Sequence, residues 1–90
     1  MTHPMRSKKI LITGGNGGIG FETAKALIAQ GADVVIASRA SAKTDAALAA
    51  LGPSARHLAV DLSDLDSVRG LADAYLAEHA QLDVLINNAG

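Results

Sequence analysis

Five of the seven residues from Gly14 to Gly20 are glycine, in the stretch GGNGGIG. Glycine is the poorest ordinary residue for a strand or helix interior. Yet this run joins an apolar segment rich in β-branched residues, KKILIT (8–13), to a segment of helical periodicity that opens at Gly18. A strand-to-helix turn with so little side chain bares the unpaired N–H groups of the helix start, where the partial positive charge of the helix end also lies. The chemistry that fits is phosphate binding, in which an anion must come close to the backbone. Gly14 can supply the tight turn, Gly18 the surface that a pyrophosphate approaches, and Gly20 the close packing of helix on strand. The spacing is wider than G-x-G-x-x-G. No Lys-Ser or Lys-Thr follows, so the loop is not a P-loop. A glycine-rich turn alone need bind nothing; the strand–turn–helix context is what points to a dinucleotide.

The second candidate lies further along. A site for NAD usually holds an acidic residue about 20 residues past the glycines, on the ribose 2′-hydroxyl. Counting from Gly18 leads to Ser38, followed by Arg39, with no carboxylate at either position. A guanidinium pairs with a 2′-phosphate through two hydrogen bonds, and the Ser38 hydroxyl can add a third. The pair favours NADP(H) over NAD(H), against the plainer reading of Arg39 as a solvated arginine at a strand end. Other chemistry has less support. There are no cysteines, which excludes disulfides and thiolate metal sites. His3, His57 and His79 share no motif. Tyr75 is the only tyrosine and falls on the apolar side of a helix, which is a packing position.

These residues need a frame, and strand and helix patterns alternate four times. DVVIAS (33–38) reads as a second strand, KTDAALAAL (43–51) as a helix ended by Gly52 and Pro53, and RHLAVD (56–61) as a third strand. In the first helix Gly20, Ala24, Leu27 and Ile28 share a face, and Gly31 marks its end. Ser63 or Asp64 can cap a third helix in which Val68, Leu71, Ala72, Tyr75 and Leu76 line one face. LDVLIN (82–87) is the fourth strand. Strands alternating with helices imply parallel pairing through right-handed crossovers. The expected fold is a partial α/β, Rossmann-type doubly wound sheet of four parallel strands in the order 3-2-1-4. The first two helices should cover one face and the third the other. Ligands of such sheets bind at the carboxyl ends of the strands, beside the switch in strand direction.

Composition sets outer bounds. The chain has 90 residues, is 49% hydrophobic and carries a formal net charge of −1. One small domain fits that length. Near-neutral charge gives no support for nucleic acid or an anionic membrane as partner, and no apolar run approaches the roughly 20 residues of a membrane span. The short polar start MTHPMRSKK lacks the apolar core of a signal peptide. Residues 1–7 are expected to be a flexible N-terminal segment, residues 8–90 an incomplete NAD(P)-binding Rossmann domain, and the location cytoplasmic.

TGGNGGIG (13–20) resembles the T-G-x-x-x-G-I-G motif of the short-chain dehydrogenase/reductase family. NNAG (87–90) is similar to that family's second signature, and VDL (60–62) stands where the family places an Asp beside the adenine. The resemblance implies that Gly14, Gly15, Asn16, Gly17, Gly18 and Ile19 form the phosphate loop. It implies that Asp61 and Leu62 touch the adenine, through side chain and backbone respectively, and that Asn87, Ala89 and Gly90 flank the adenosine ribose. Asn88 is assigned to hydrogen bonding at the strand end rather than to a ligand. The family's catalytic Ser and Tyr-x-x-x-Lys lie past NNAG. The only tyrosine here, Tyr75, is followed four residues later by His79 rather than Lys. The resemblance therefore implies the cofactor half of an oxidoreductase that transfers hydride between nicotinamide and an alcohol or carbonyl, expected to be inactive by itself. The alternative is a standalone, non-catalytic dinucleotide-binding or interaction module. Strand 4 would leave an apolar edge open, so self-association is also expected.

Overall fold

Right-handed crossovers decide which face each helix covers. The structure, a computed structural model, describes residues 6–14, 17–61, 63–79 and 81–88. Its elements are β1 (Lys9–Thr13), α1 (Gly18–Ala29), β2 (Asp33–Ser38), α2 (Ala42–Leu51), β3 (Ala55–Ala59), α3 (Leu65–Glu78) and β4 (Val84–Asn87). The strands form one sheet in the order β3-β2-β1-β4. All three pairings are parallel, with Ile10 opposite Val34 and Val84, and Val34 opposite Ala55. The first two crossovers step the same way along the sheet, and the third runs back across it. Right-handedness then places α1 and α2 on one face and α3 on the other.

The core follows the two-residue period of the strands. Ile10, Ile12, Val34 and Ile36 point to the first face and pack with Ala24 of α1 and Leu51 of α2. Leu11, Val35 and Ala37 point the other way and meet Leu71 and Tyr75 of α3. β1 and β2 are covered on both sides, which is why they read as unbroken apolar runs. The edge strand β3 is only partly buried.

Helix ends match the local sequence. The N–H of Gly31 donates to the Ile28 carbonyl at 2.9 Å and that of Ala32 to the Leu27 carbonyl at 3.1 Å. With φ +97° at Gly31, these bonds form a Schellman closure that only glycine enters without strain. Of the two candidate caps of α3, Asp64 serves, its carboxylate accepting the Asp66 N–H at 2.9 Å. The apolar stripe of α3 is only partly buried. Leu71 and Tyr75 are buried, while Ala72 and Leu76 are exposed. Leu76 lies at the side of α3 that overhangs β4, where it shares a groove with Leu82 and Leu85. β4 begins at Val84 rather than residue 82, the preceding Asp83 being tied to Lys9 through both its N–H and its carboxylate.

Candidate dinucleotide-binding site

Four chain segments converge at the carboxyl ends of β1, β2, β3 and β4. The first is the turn between β1 and α1. Gly14 has φ +70° and its N–H donates to the Ala37 carbonyl at 2.8 Å, which fastens the turn to the end of β2. α1 opens at Gly17 and Gly18. Among the described residues it has neither a side-chain cap nor an acidic residue in its first turn. By contrast, α2 and α3 each have both, in Ser41 with Asp45 and in Asp64 with Asp66. Among the described residues, the start of α1 thus lacks the side-chain cap that the other two helices have, an arrangement that suits an anion. Among the described residues, a Cβ built on Gly18 meets nothing within 4 Å. A Cβ on Gly20 would stand 2.9 Å from the Gly14 carbonyl oxygen and 2.5 Å from Asn88 Nδ2. Gly20 therefore allows the close packing of helix on strand that its place in the motif suggests. Ile19 is 79% exposed beside the turn.

The second segment is the end of β4, held by Thr13. The Thr13 hydroxyl accepts the Asn88 N–H at 3.1 Å and donates to Asn87 Oδ1 at 3.1 Å. Asn88 Nδ2 donates to the Gly14 carbonyl at 3.3 Å. These bonds tie β4 to the glycine turn.

The third and fourth segments carry Ser38, Arg39 and Asp61. The Arg39 side chain is 75% exposed and its Nη2 lies 3.4 Å from Asp61 Oδ1. Asp61 Oδ1 also accepts from the Ser63 hydroxyl at 2.6 Å and the Ser63 N–H at 3.0 Å. The two Ser63 bonds, and after them the Arg39 charge, hold the Asp61 carboxyl below the usual carboxylate range. Asp61 is therefore ionised at neutral pH. Its pair with Arg39 is solvent-exposed and worth little, so a phosphate could take the guanidinium over. Ser38 is buried, and its hydroxyl lies 3.2 Å from Thr44 Oγ1 and 3.3 Å from His57 Nε2.

The structure thus brings together Gly14, Gly17, Gly18, Ile19, Ser38, Arg39, Asp61 and Asn87. Gly15, Asn16, Leu62, Ala89 and Gly90 lie outside the described residues, as do residues 1–5 of the N-terminal segment. Sequence reasoning passed over Lys43. A Cβ on Gly17 would come within 2.6 Å of Lys43 Cε and 2.7 Å of Nζ, so the Lys43 chain end rests on the glycine turn. No motif marks it; only the folding of α2 beside α1 brings it there. Tyr75 is confirmed as a packing residue. It is 4% exposed, stacks on His79 with ring centroids 4.7 Å apart, and donates its hydroxyl to the Gln81 carbonyl at 2.6 Å. Burial raises its pKa.

Comparison with known proteins agrees with this geometry. The sequence pattern of the short chain dehydrogenase family matches residues 8–90. A short-chain dehydrogenase/reductase of Armillaria gallica is 44% identical over 90 residues, covering 96% of this chain and 29% of its own length. Human retinol dehydrogenase 12 is 44% identical over 88 residues, covering 92% of this chain and 28% of its own length. Among solved structures, a putative betaketoacyl-ACP reductase superposes with a TM-score of 0.84 at 43% identity, over 96% of this chain and 34% of its own. A 3-ketoacyl-(acyl-carrier-protein) reductase from Brucella melitensis, complexed with NADH, superposes with a TM-score of 0.80 at 32% identity, over 90% of this chain and 34% of its own. The chain belongs to the short-chain dehydrogenase/reductase family, whose members use nicotinamide dinucleotide cofactors. It spans under a third of the length of these two curated relatives. Among the described residues, no helix is long and apolar enough to cross a membrane.

Proposed function

We propose that residues 8–90 are the cofactor-binding, incomplete Rossmann part of an NADP(H)-dependent short-chain oxidoreductase. The observation that carries the cofactor preference is Arg39. Its exposed guanidinium stands at the carboxyl end of β2, where a site for NAD would present a carboxylate. The glycine turn is bonded directly to the same strand end through Gly14 and Ala37. In this reading the bare start of α1 takes the pyrophosphate, Asp61 and Leu62 take the adenine, and Asn87, Ala89 and Gly90 flank the ribose. The nicotinamide supplies or accepts the hydride when bound. The Brucella melitensis reductase was solved with NADH, and Arg39 is the reason this chain is assigned the phosphorylated cofactor instead. The Tyr75 hydroxyl is committed to the Gln81 carbonyl inside the α3 layer, which supports the reading that the substrate proton is handled by residues other than these 90. The open edge of β4 serves as a surface for self-association.

The test is Arg39→Ala with both cofactors. Loss of a charged hydrogen-bonding partner costs about 1.5–3 kcal/mol, so NADPH should bind tenfold or more weakly. NADH, which lacks the 2′-phosphate, should be barely affected. Titration calorimetry separates the outcomes: equal losses for the two cofactors would show that Arg39 does not read the phosphate.

A further inference from the structure

We infer that Thr44 and His57 are positioning residues for Arg39, and through it for the 2′-phosphate; the inference rests on the reading of Arg39 given above. Three successive carbonyls at the end of β2 are each held by a different part of the fold. That of Ala37 accepts the Gly14 N–H of the glycine turn. That of Ser38 accepts the Val60 N–H at 3.0 Å and lies 2.9 Å from His57 Nε2. That of Arg39 accepts the Thr44 hydroxyl at 2.8 Å. Arg39 therefore stands between two anchored peptide groups, those carrying the Ser38 and Arg39 carbonyls. A carbonyl can only accept, so His57 Nε2 carries a proton and donates.

The anchors are themselves fixed. Thr44 is 1% exposed, and its backbone N–H donates to the N-cap Ser41 hydroxyl at 3.2 Å. The Ser41 hydroxyl in turn lies 3.2 Å from Thr44 Oγ1. The Ser38 hydroxyl sits within reach of both Thr44 and His57, beneath the strand end rather than in solvent. Side chains from α2 and β3 thus fix the backbone that launches a side chain 75% exposed. Holding the root removes backbone motion that would otherwise have to be frozen when the arginine meets a phosphate. Ser38, whose hydroxyl the sequence offers as a third hydrogen bond to the phosphate, instead supports the strand end from below through Thr44 and His57.

The experiment measures NADPH and NADH affinities by titration calorimetry for wild type, Arg39→Ala, Thr44→Val and His57→Leu, with thermal unfolding of each. The conservative variants Thr44→Ser and His57→Gln retain a donor and serve as rescues. Thr44→Val and His57→Leu should each lower the NADPH-over-NADH preference roughly threefold to tenfold, the effect of one hydrogen bond. Thr44→Ser and His57→Gln should keep the wild-type preference, and Thr44→Val added to Arg39→Ala should change it no further. A purely structural role would instead weaken both cofactors alike. If buried Thr44→Val does not fold, His57→Leu on the edge strand decides. An unchanged preference in folded Thr44→Val or His57→Leu, alongside a collapsed one in Arg39→Ala, overturns the inference alone. A wild type without NADPH preference, or an Arg39→Ala that keeps it, overturns the reading of Arg39 and the inference with it.

Discussion

Replacing Gly18 with valine is expected to abolish dinucleotide binding while the sheet and helices persist. Gly18 is the first residue of α1 and has φ +58°, in the left-handed region that a β-branched residue enters only under strain. Among the described residues nothing lies within 4 Å of where a Cβ would stand. A valine there costs the fold the backbone strain alone, whereas an approaching pyrophosphate would meet the side chain itself. A valine would fill that approach and turn the adjoining N–H groups away from a bound anion. Affinity should fall about a hundredfold or more, with the far-ultraviolet circular dichroism of the wild type retained. Retained affinity in a folded variant would mean that the phosphates lie elsewhere. Gly20 offers no such separation. Any side chain there strikes the Gly14 carbonyl and Asn88, so its loss would disturb the turn and the β4 end together.

The 90-residue chain is also expected to self-associate through β4. Among the described residues this strand pairs with β1 alone and lies at the end of the sheet. Its residues Val84, Leu85, Ile86 and Asn87 carry no charge, and Val84 and Leu85 are 36% and 59% exposed. Beside it runs the groove in which Leu76, Leu82 and Leu85 face solvent over Leu11 and Leu71. An uncharged apolar edge next to an apolar groove is a template for another chain. The opposing effect is length: four residues give few ladder bonds, and a short edge can fray without harm. The groove tips the balance, because association there buries side chains as well as pairing backbone. Sedimentation velocity at rising concentration should show dimers or larger species, with amides across residues 82–88 gaining protection as they form. A monomer at every concentration, with those amides already strongly protected, would refute the expectation.

Much of the frame was legible because it depends on local periodicity and handedness. The bounds of β2 agree residue for residue with DVVIAS, and the Gly31 stop and the Asp64 cap are written in single residues next to the elements they end. The strand order follows from the crossover rule once the alternation is seen. What escaped the sequence lies between elements. Thr13 bonds to Asn87 and Asn88, 74 and 75 residues away, and Arg39 meets Asp61 across 22. Lys43 reaches Gly17 only because α2 folds beside α1. The exposed Leu76 of α3 shows the same limit: helical spacing identifies an apolar stripe, but not how much of it the sheet is wide enough to cover.

Amide hydrogen exchange with and without NADPH measures most directly where a dinucleotide binds. Protection is predicted at the carboxyl ends of the strands, in Gly14 and residues 17–20, at Ser38 and Arg39, and around Asp61. The opposite end of the sheet offers a competing hollow, lined by Lys9, Asp33, Arg56 and His79. Protection confined to that hollow, with the glycine turn exchanging as before, would contradict binding at the glycine turn.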